Sequence, residues 1–155
     1  MARIAAEQRL PDVTPAVAAS LWWDTRRWPS FVDGFSHVHK REGDWPRAGG
    51  RLVWDARPDS PRGRVVEHVE HRDADGGGDS ELEDARLHGS QHVRFAAVAG
   101  GTLMTLELRY APKGPAAPLA DVVFVRRRLR GALGRTLERF AREVAMEREL
   151  AADVQ

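Results

Sequence analysis

A chain of 155 residues with 42% hydrophobic content is long enough to bury a core of its own, and one domain is expected. Charge is nearly balanced, 24 basic against 23 acidic residues for a net +1, so there is no global field to recruit nucleic acid, and no nucleic-acid partner is expected. The lack of cysteine excludes disulfides, thiolate chemistry and cysteine-ligated zinc or iron–sulfur clusters.

Arg3, Glu7 and Arg9 deny the N-terminal segment the apolar core of a signal peptide. No uninterrupted apolar run approaches the ~20 residues of a membrane span. The expectation is a cytoplasmic protein without a transmembrane segment. Ile4 to Leu10 reads as a first strand, ended by Pro11. Thr14 is placed to cap a short helix over Ala16 to Trp23, with Pro15 at its first position. Pro29 should break the chain, and Ser30 to Asp33 form a second short helical turn before Gly34.

Strands are then predicted for Phe35 to Glu42 and for Arg51 to Arg57, where Leu52, Trp54 and Ala56 alternate with Arg51, Val53 and Asp55. Gly63 to Arg72 follows by its β-branched content, and Asp73 to Asp79 has the composition of a hairpin tip. Glu81 to Leu87 and Gln91 to Val98 read as strands joined at His88-Gly89. Gly100-Gly101 turns the chain into Thr102 to Tyr110, where Met104, Leu106 and Leu108 share one face. Pro112, Pro115 and Pro118 punctuate a linker. A long amphipathic helix, roughly Leu119 to Leu150, closes the chain, with Val122, Leu129, Leu133, Leu137, Phe140 and Val144 as its apolar stripe. Arg126 projects onto that stripe.

Three segments together resemble the START-like, or SRPBCC, superfamily, and within it the polyketide cyclase/dehydrase and lipid-transport type. They are Val13-Thr14-Pro15-Ala16-Val17 leading to Trp22 and Asp24-Thr25-Arg26-Arg27-Trp28-Pro29-Ser30-Phe31, the hairpin Gly100-Gly101-Thr102-Leu103-Met104-Thr105, and the terminal helix. The resemblance spans nearly the whole chain, but its motifs mark the fold and carry no chemistry. It implies an α+β helix-grip fold: a curved antiparallel sheet of about seven strands wrapped around a long C-terminal helix, with two short helices after the first strand. The expected domain covers residues 1–150, with residues 151–155 as a flexible tail. An apolar pocket is implied between sheet and helix.

Trp54, Phe95, Met104, Leu106 and Leu108 are the expected sheet-side contacts of a ligand in that pocket, and Val122, Arg126 and Leu129 the helix-side ones. Arg126 either pairs with an anionic group of the ligand, or reaches out to solvent or pairs with an internal acid. His68 and Glu70 alternate with Val66 and would carry an acid/base pair into the pocket in one strand register. The other register turns Val65, Val69 and His71 inward, and periodicity does not choose between them. His37 and His39 share a strand face, but a metal would need a third ligand from elsewhere, such as Glu67, Glu70 or His68; nothing in the spacing demands one, and no metal is expected. No phosphate loop, nucleophile elbow or dinucleotide fingerprint is present, and no cofactor is expected.

Three functions remain open. The first is binding of a hydrophobic or aromatic small molecule such as a lipid, quinone or polyketide-like compound. The second is a cofactor-independent cyclase or dehydratase that uses pocket acid/base residues. Two or more ionisable groups converging on the cavity would favour the enzyme, and one or none the binder. The third is an interaction module that uses the basic stretch Arg126 to Arg130 for a protein partner or transient membrane contact.

Overall fold

A computed structural model of the chain describes residues 1–114 and 119–154, with backbone alone for residues 119–121. Seven strands occur in it: β1 (Ala2–Pro11), β2 (Phe35–Glu42), β3 (Arg51–Ala56), β4 (Arg64–Arg72), β5 (Gly78–Glu83), β6 (Leu87–Val98) and β7 (Gly101–Pro112). Between β1 and β2 lie α1 (Pro15–Trp22), a 3-10 turn (Thr25–Arg27) and α2 (Trp28–Phe31), and α3 (Leu119–Asp153) closes the chain. The strands form one sheet in the order β1-β7-β6-β5-β4-β3-β2, with every pair antiparallel. This is the α+β helix-grip architecture expected from the sequence.

Alternation decides which side chains the sheet turns inward. Ile4 and Leu10 of β1 pair with Leu108 and Thr102 of β7, and all four are buried. The same face continues through Val93 and Phe95, then Ser80 and Leu82, then Val65, Glu67 and Val69, and ends at Leu52 and Trp54. Each fully buried large apolar side chain contributes about 1.5–3 kcal/mol, so this face is the main source of stability. Thr102 is tolerated there because its hydroxyl donates to the Val13 carbonyl at 2.7 Å.

The helix α3 divides into two halves. Leu133, Leu137, Phe140 and Val144, three or four residues apart, are buried against the core. Phe140 stands edge-on to Trp22 at 5.3 Å and to Phe31 at 4.9 Å, which ties the helix to α1 and α2. Arg27 bridges to Glu143 and Glu147, and Asp33 binds Arg135 and Arg139. The first half of α3 stands off the sheet; Leu129 is partly covered and Val122 is 44% exposed.

Several boundaries differ from the sequence reading, each for a local reason. Thr14 does cap α1, accepting from the Val17 N–H at 3.3 Å. Pro29, however, lies inside α2 and does not break the chain, because a first-turn residue needs no amide hydrogen. The β5–β6 turn falls at Asp84 to Arg86 and not at His88-Gly89. The Asp84 carboxylate accepts from the amides of Arg86 and Leu87, both at 2.9 Å, and closes the turn. Gly89 sits inside β6, where the backbone of Arg109 and Tyr110 comes too close for any side chain. Helix α3 continues through Ala151, Ala152 and Asp153, three residues of the expected tail. The expected linker positions Pro115 and Pro118, and Gln155 of the tail, lie outside the described residues.

Candidate functional site

Where α3 stands off the sheet, a cavity of about 190 Å³ opens between them. Its walls are mostly apolar. Trp22 and Trp28 close the end nearest α1 and α2, Trp54, Leu82, Leu106 and Leu108 form the sheet side, and Val125, Leu129, Ala132 and Leu133 the helix side. Trp28 stands edge-on to Trp54 at 6.2 Å, so neighbouring walls brace one another.

Four carboxylates line the cavity, Asp33, Glu67, Glu83 and Asp84, and of these Glu67 lies among the inward apolar side chains of the sheet. Glu67 is buried on the inward face of β4 between Val65 and Val69, beside Leu52 and Leu82 of the adjoining strands. Its Oε1 accepts from the Trp54 indole N–H at 3.3 Å. Burial pushes the carboxyl up to about 7; the Trp54 hydrogen bond and the Arg62 cation pull the other way without prevailing. Arg62 does not form an ion pair with Glu67. Its Nε donates to Asp84 at 3.0 Å, and its guanidinium lies 5.2 Å from the centre of the Trp54 ring.

Tyr110 is another buried group with a polar atom at the cavity. Its hydroxyl has no hydrogen-bond partner, which is costly for a buried donor. Burial raises the phenol above its ordinary value, against the opposing fields of Arg126 and Arg130. Tyr110 faces both this cavity and a second hollow of about 290 Å³ beside it, formed by Met1, Ala2, Leu87, Ala111, Pro112, Val122 and Val125. The other charged groups at the cavity include neutralising pairs, Arg62 with Asp84 and Asp33 with Arg135. Thr136 is occupied by the Asp33 amide at 3.0 Å.

The expected contacts divide accordingly. Trp54, Leu106, Leu108 and Leu129 line the cavity. Phe95 and Met104 face the same side of the sheet but are a cross-strand pair in the packed core, away from it. Val122 lines the second hollow instead, and Arg126 is exposed, because the first turns of α3 lack the cover that the later turns have.

His68 and Glu70 require a correction. The register turns Val65, Glu67 and Val69 inward, so His68 and Glu70 project from the outer face, with side chains 45% and 50% exposed. They do not reach the cavity. On that outer face His68, Glu70 and Glu81 bring one ligating atom each within 4.8 Å of one another, and all three are exposed. His37 and His39 both turn to Asp55, at 3.1 and 4.0 Å, a carboxylate already held by Arg64 at 2.9 Å.

Glu67 and Tyr110 are among the cavity groups that the expected ligand contacts left out, as are Leu82, His88, Gln91, Val125 and Leu133. For Glu67 the signal was its place two residues from valines on both sides. For Tyr110 it was the β7 alternation of Met104, Leu106 and Leu108 carried one step further.

A sheet gripping a long helix around an apolar cavity defines a START-like protein of the SRPBCC superfamily. The family model described as "Polyketide cyclase / dehydrase and lipid transport" matches residues 1–145, and the chain belongs to that family. Solved structures share the fold at low sequence identity. The protein TTHA0849 from Thermus thermophilus is 18% identical, with a TM-score of 0.72 over 94% of this chain and 99% of that one. A START superfamily protein from Mycobacterium smegmatis is 14% identical, with a TM-score of 0.61 over 94% and 95%. Norcoclaurine synthase from Thalictrum flavum, in complex with dopamine and hydroxybenzaldehyde, is 12% identical, with a TM-score of 0.68 over 94% and 87%. No curated protein matches the chain.

Proposed function

We propose that the protein binds a hydrophobic small molecule of lipid, quinone or polyketide-like type in this cavity, with the polar end of the ligand at Glu67. One observation carries this above the rest: a buried carboxyl with a single hydrogen-bond donor and no ion-pair partner among the described residues, on the sheet side of a mostly apolar cavity. Apolar ligand surface buried against Trp22, Trp28, Trp54 and the leucines supplies about 25 cal/mol per Å². Glu67 supplies direction. A neutral carboxylic acid both donates and accepts, so it holds a ligand hydroxyl or carbonyl without burying a charge. The Tyr110 hydroxyl offers a second donor nearby. The family description, which names lipid transport alongside polyketide cyclisation, supports the same ligand class.

Glu67 also supports a second reading, a cofactor-independent cyclase or dehydratase. A carboxyl that titrates at about 7 is suited to giving and taking protons at neutral pH. Under this reading the cavity folds the substrate into a reactive shape and Glu67, in place of His68 and Glu70, moves the proton.

The test combines native mass spectrometry of freshly purified protein with titration of the neutral fluorophore N-phenylnaphthylamine. A co-purified small molecule, or saturable fluorescence enhancement, is expected. Leu129→Trp fills the cavity from the helix side and should weaken probe binding at least tenfold, about 1.4 kcal/mol. Equal affinity in the variant would place the probe elsewhere and remove the cavity from the account.

A further inference from the structure

The first turns of α3 expose three consecutive apolar side chains: Val122, Val123 and Phe124 are 44%, 59% and 60% exposed. At about 100° per residue they cover more than half of the helix circumference, so no single packing face would bury them. Directly behind them come Arg126, Arg127, Arg128 and Arg130, all exposed. Among the described residues none of these four lies within ion-pair distance of a carboxylate, whereas of the arginines further along the helix Arg135, Arg139 and Arg148 are paired and Arg142 is not. No acidic residue occurs from Val122 to Leu137. The Arg128 guanidinium stacks over the Phe124 ring at 5.7 Å, joining the apolar tip to the basic collar. On the same turns Val125 and Leu129 face inward onto the cavity, with Arg128 at its rim.

We propose that this end of α3 docks on an anionic phospholipid bilayer, with the apolar tip below the headgroups and the arginine collar at the phosphates. The dimensions agree. Phe124 and Arg128 are separated by about 6 Å along the helix axis, and interfacial helices bury their apolar side chains about 5–10 Å into the headgroup–acyl boundary. Guanidinium groups fit phosphate oxygens through paired hydrogen bonds. An acidic protein surface would satisfy the arginines, but it would leave much of an apolar tip exposed on several sides in water; a bilayer accommodates both features. Docking would hold the cavity beside the lipid phase, where hydrophobic ligands reside.

Co-sedimentation with vesicles tests this. The protein should bind vesicles of phosphatidylglycerol and phosphatidylcholine, bind pure phosphatidylcholine far less, and be released by high salt. Each arginine near an anionic surface is worth roughly fivefold in affinity, so Arg126→Glu/Arg127→Glu/Arg130→Glu should lower binding by at least about a hundredfold. Val123→Asp/Phe124→Asp should lower it as well. All five positions lie outside the cavity wall, so N-phenylnaphthylamine binding is expected to survive in both variants; this reports an intact fold and separates docking from ligand binding. Binding to neither vesicle, or anionic binding indifferent to either set of substitutions, would overturn the proposal.

Discussion

Glu67→Gln has an effect on stability that can be calculated from the site. A free glutamic acid titrates near 4.5, whereas burial holds Glu67 at about 7 in the folded protein. Below the ordinary value both states are protonated and nothing is lost. As pH rises from 4.5 to 7 the unfolded chain releases a proton that the folded one retains, so folding grows less favourable. Above 7 both states are ionised and the loss is complete. At 1.36 kcal/mol for each pH unit, the interval amounts to about 3 kcal/mol. Glutamine keeps an acceptor for the Trp54 N–H and carries no charge. Urea unfolding should therefore show the variant near wild type at pH 5 and about 3 kcal/mol more stable at pH 8, a rise of roughly 6–12 °C in Tm for a chain of this size. A stability difference that stays flat between pH 5 and 8 would refute the reasoning: it would mean that Glu67 is solvated within the cavity and titrates normally, and the neutral-acid account of ligand orientation would fall with it.

Two further substitutions test other parts of the structure. Glu107 is held down at about 2 by Arg3 and Arg109, at 2.7 and 2.6 Å, so it stabilises the fold above pH 4.5 and loses that contribution as pH falls toward 2. Both arginines are more than half exposed and solvent screens the pairs, so Glu107→Gln should cost about 1 kcal/mol at pH 7 and nothing at pH 2, measured by denaturant titration at both pH values. Phe140→Ala should cost about 3–5 kcal/mol, because it empties a fully buried site between Trp22 and Phe31. A loss below about 1 kcal/mol in thermal or urea unfolding would show that α3 is not anchored there.

The architecture was legible because it is written in periodicities that extend over many residues. Ten-residue β1 and the even-numbered face of β7 cannot be slipped by one position without exposing Ile4, Leu106 and Leu108 together. The spacing of Leu133, Leu137, Phe140 and Val144 admits only a helix. Turns are decided by one or two residues and were less legible. Gly89 resembles a turn glycine, yet it serves a close approach of two strand backbones, a tertiary requirement that its neighbours in sequence do not reveal. The Asp84 turn depends on a carboxylate reaching two amides ahead of it, a pattern that is common and therefore easily overlooked.

The site turned on the parity of a single strand. In β4 the choice between Val66-His68-Glu70 and Val65-Glu67-Val69 decides whether the cavity receives a histidine–glutamate pair or a lone buried acid. Local hydropathy favours the second set only slightly, by one valine, since each set mixes apolar and charged residues. The neighbours settle it. Trp54, already committed to the inward face of β3 by its alternation with Val53 and Asp55, pairs directly with Val65, and Leu52 pairs with Glu67. Once β3 is oriented, antiparallel pairing carries that orientation into β4 and turns Glu67 inward, at an energetic cost. The shift at Val69/His71 comes after Glu67, so it bends the end of the strand without changing which residues the cavity sees. The same logic explains why Arg126, although on the apolar stripe, is not a cavity residue: a stripe is buried only as far as there is a surface to cover it, and α3 begins before that surface does.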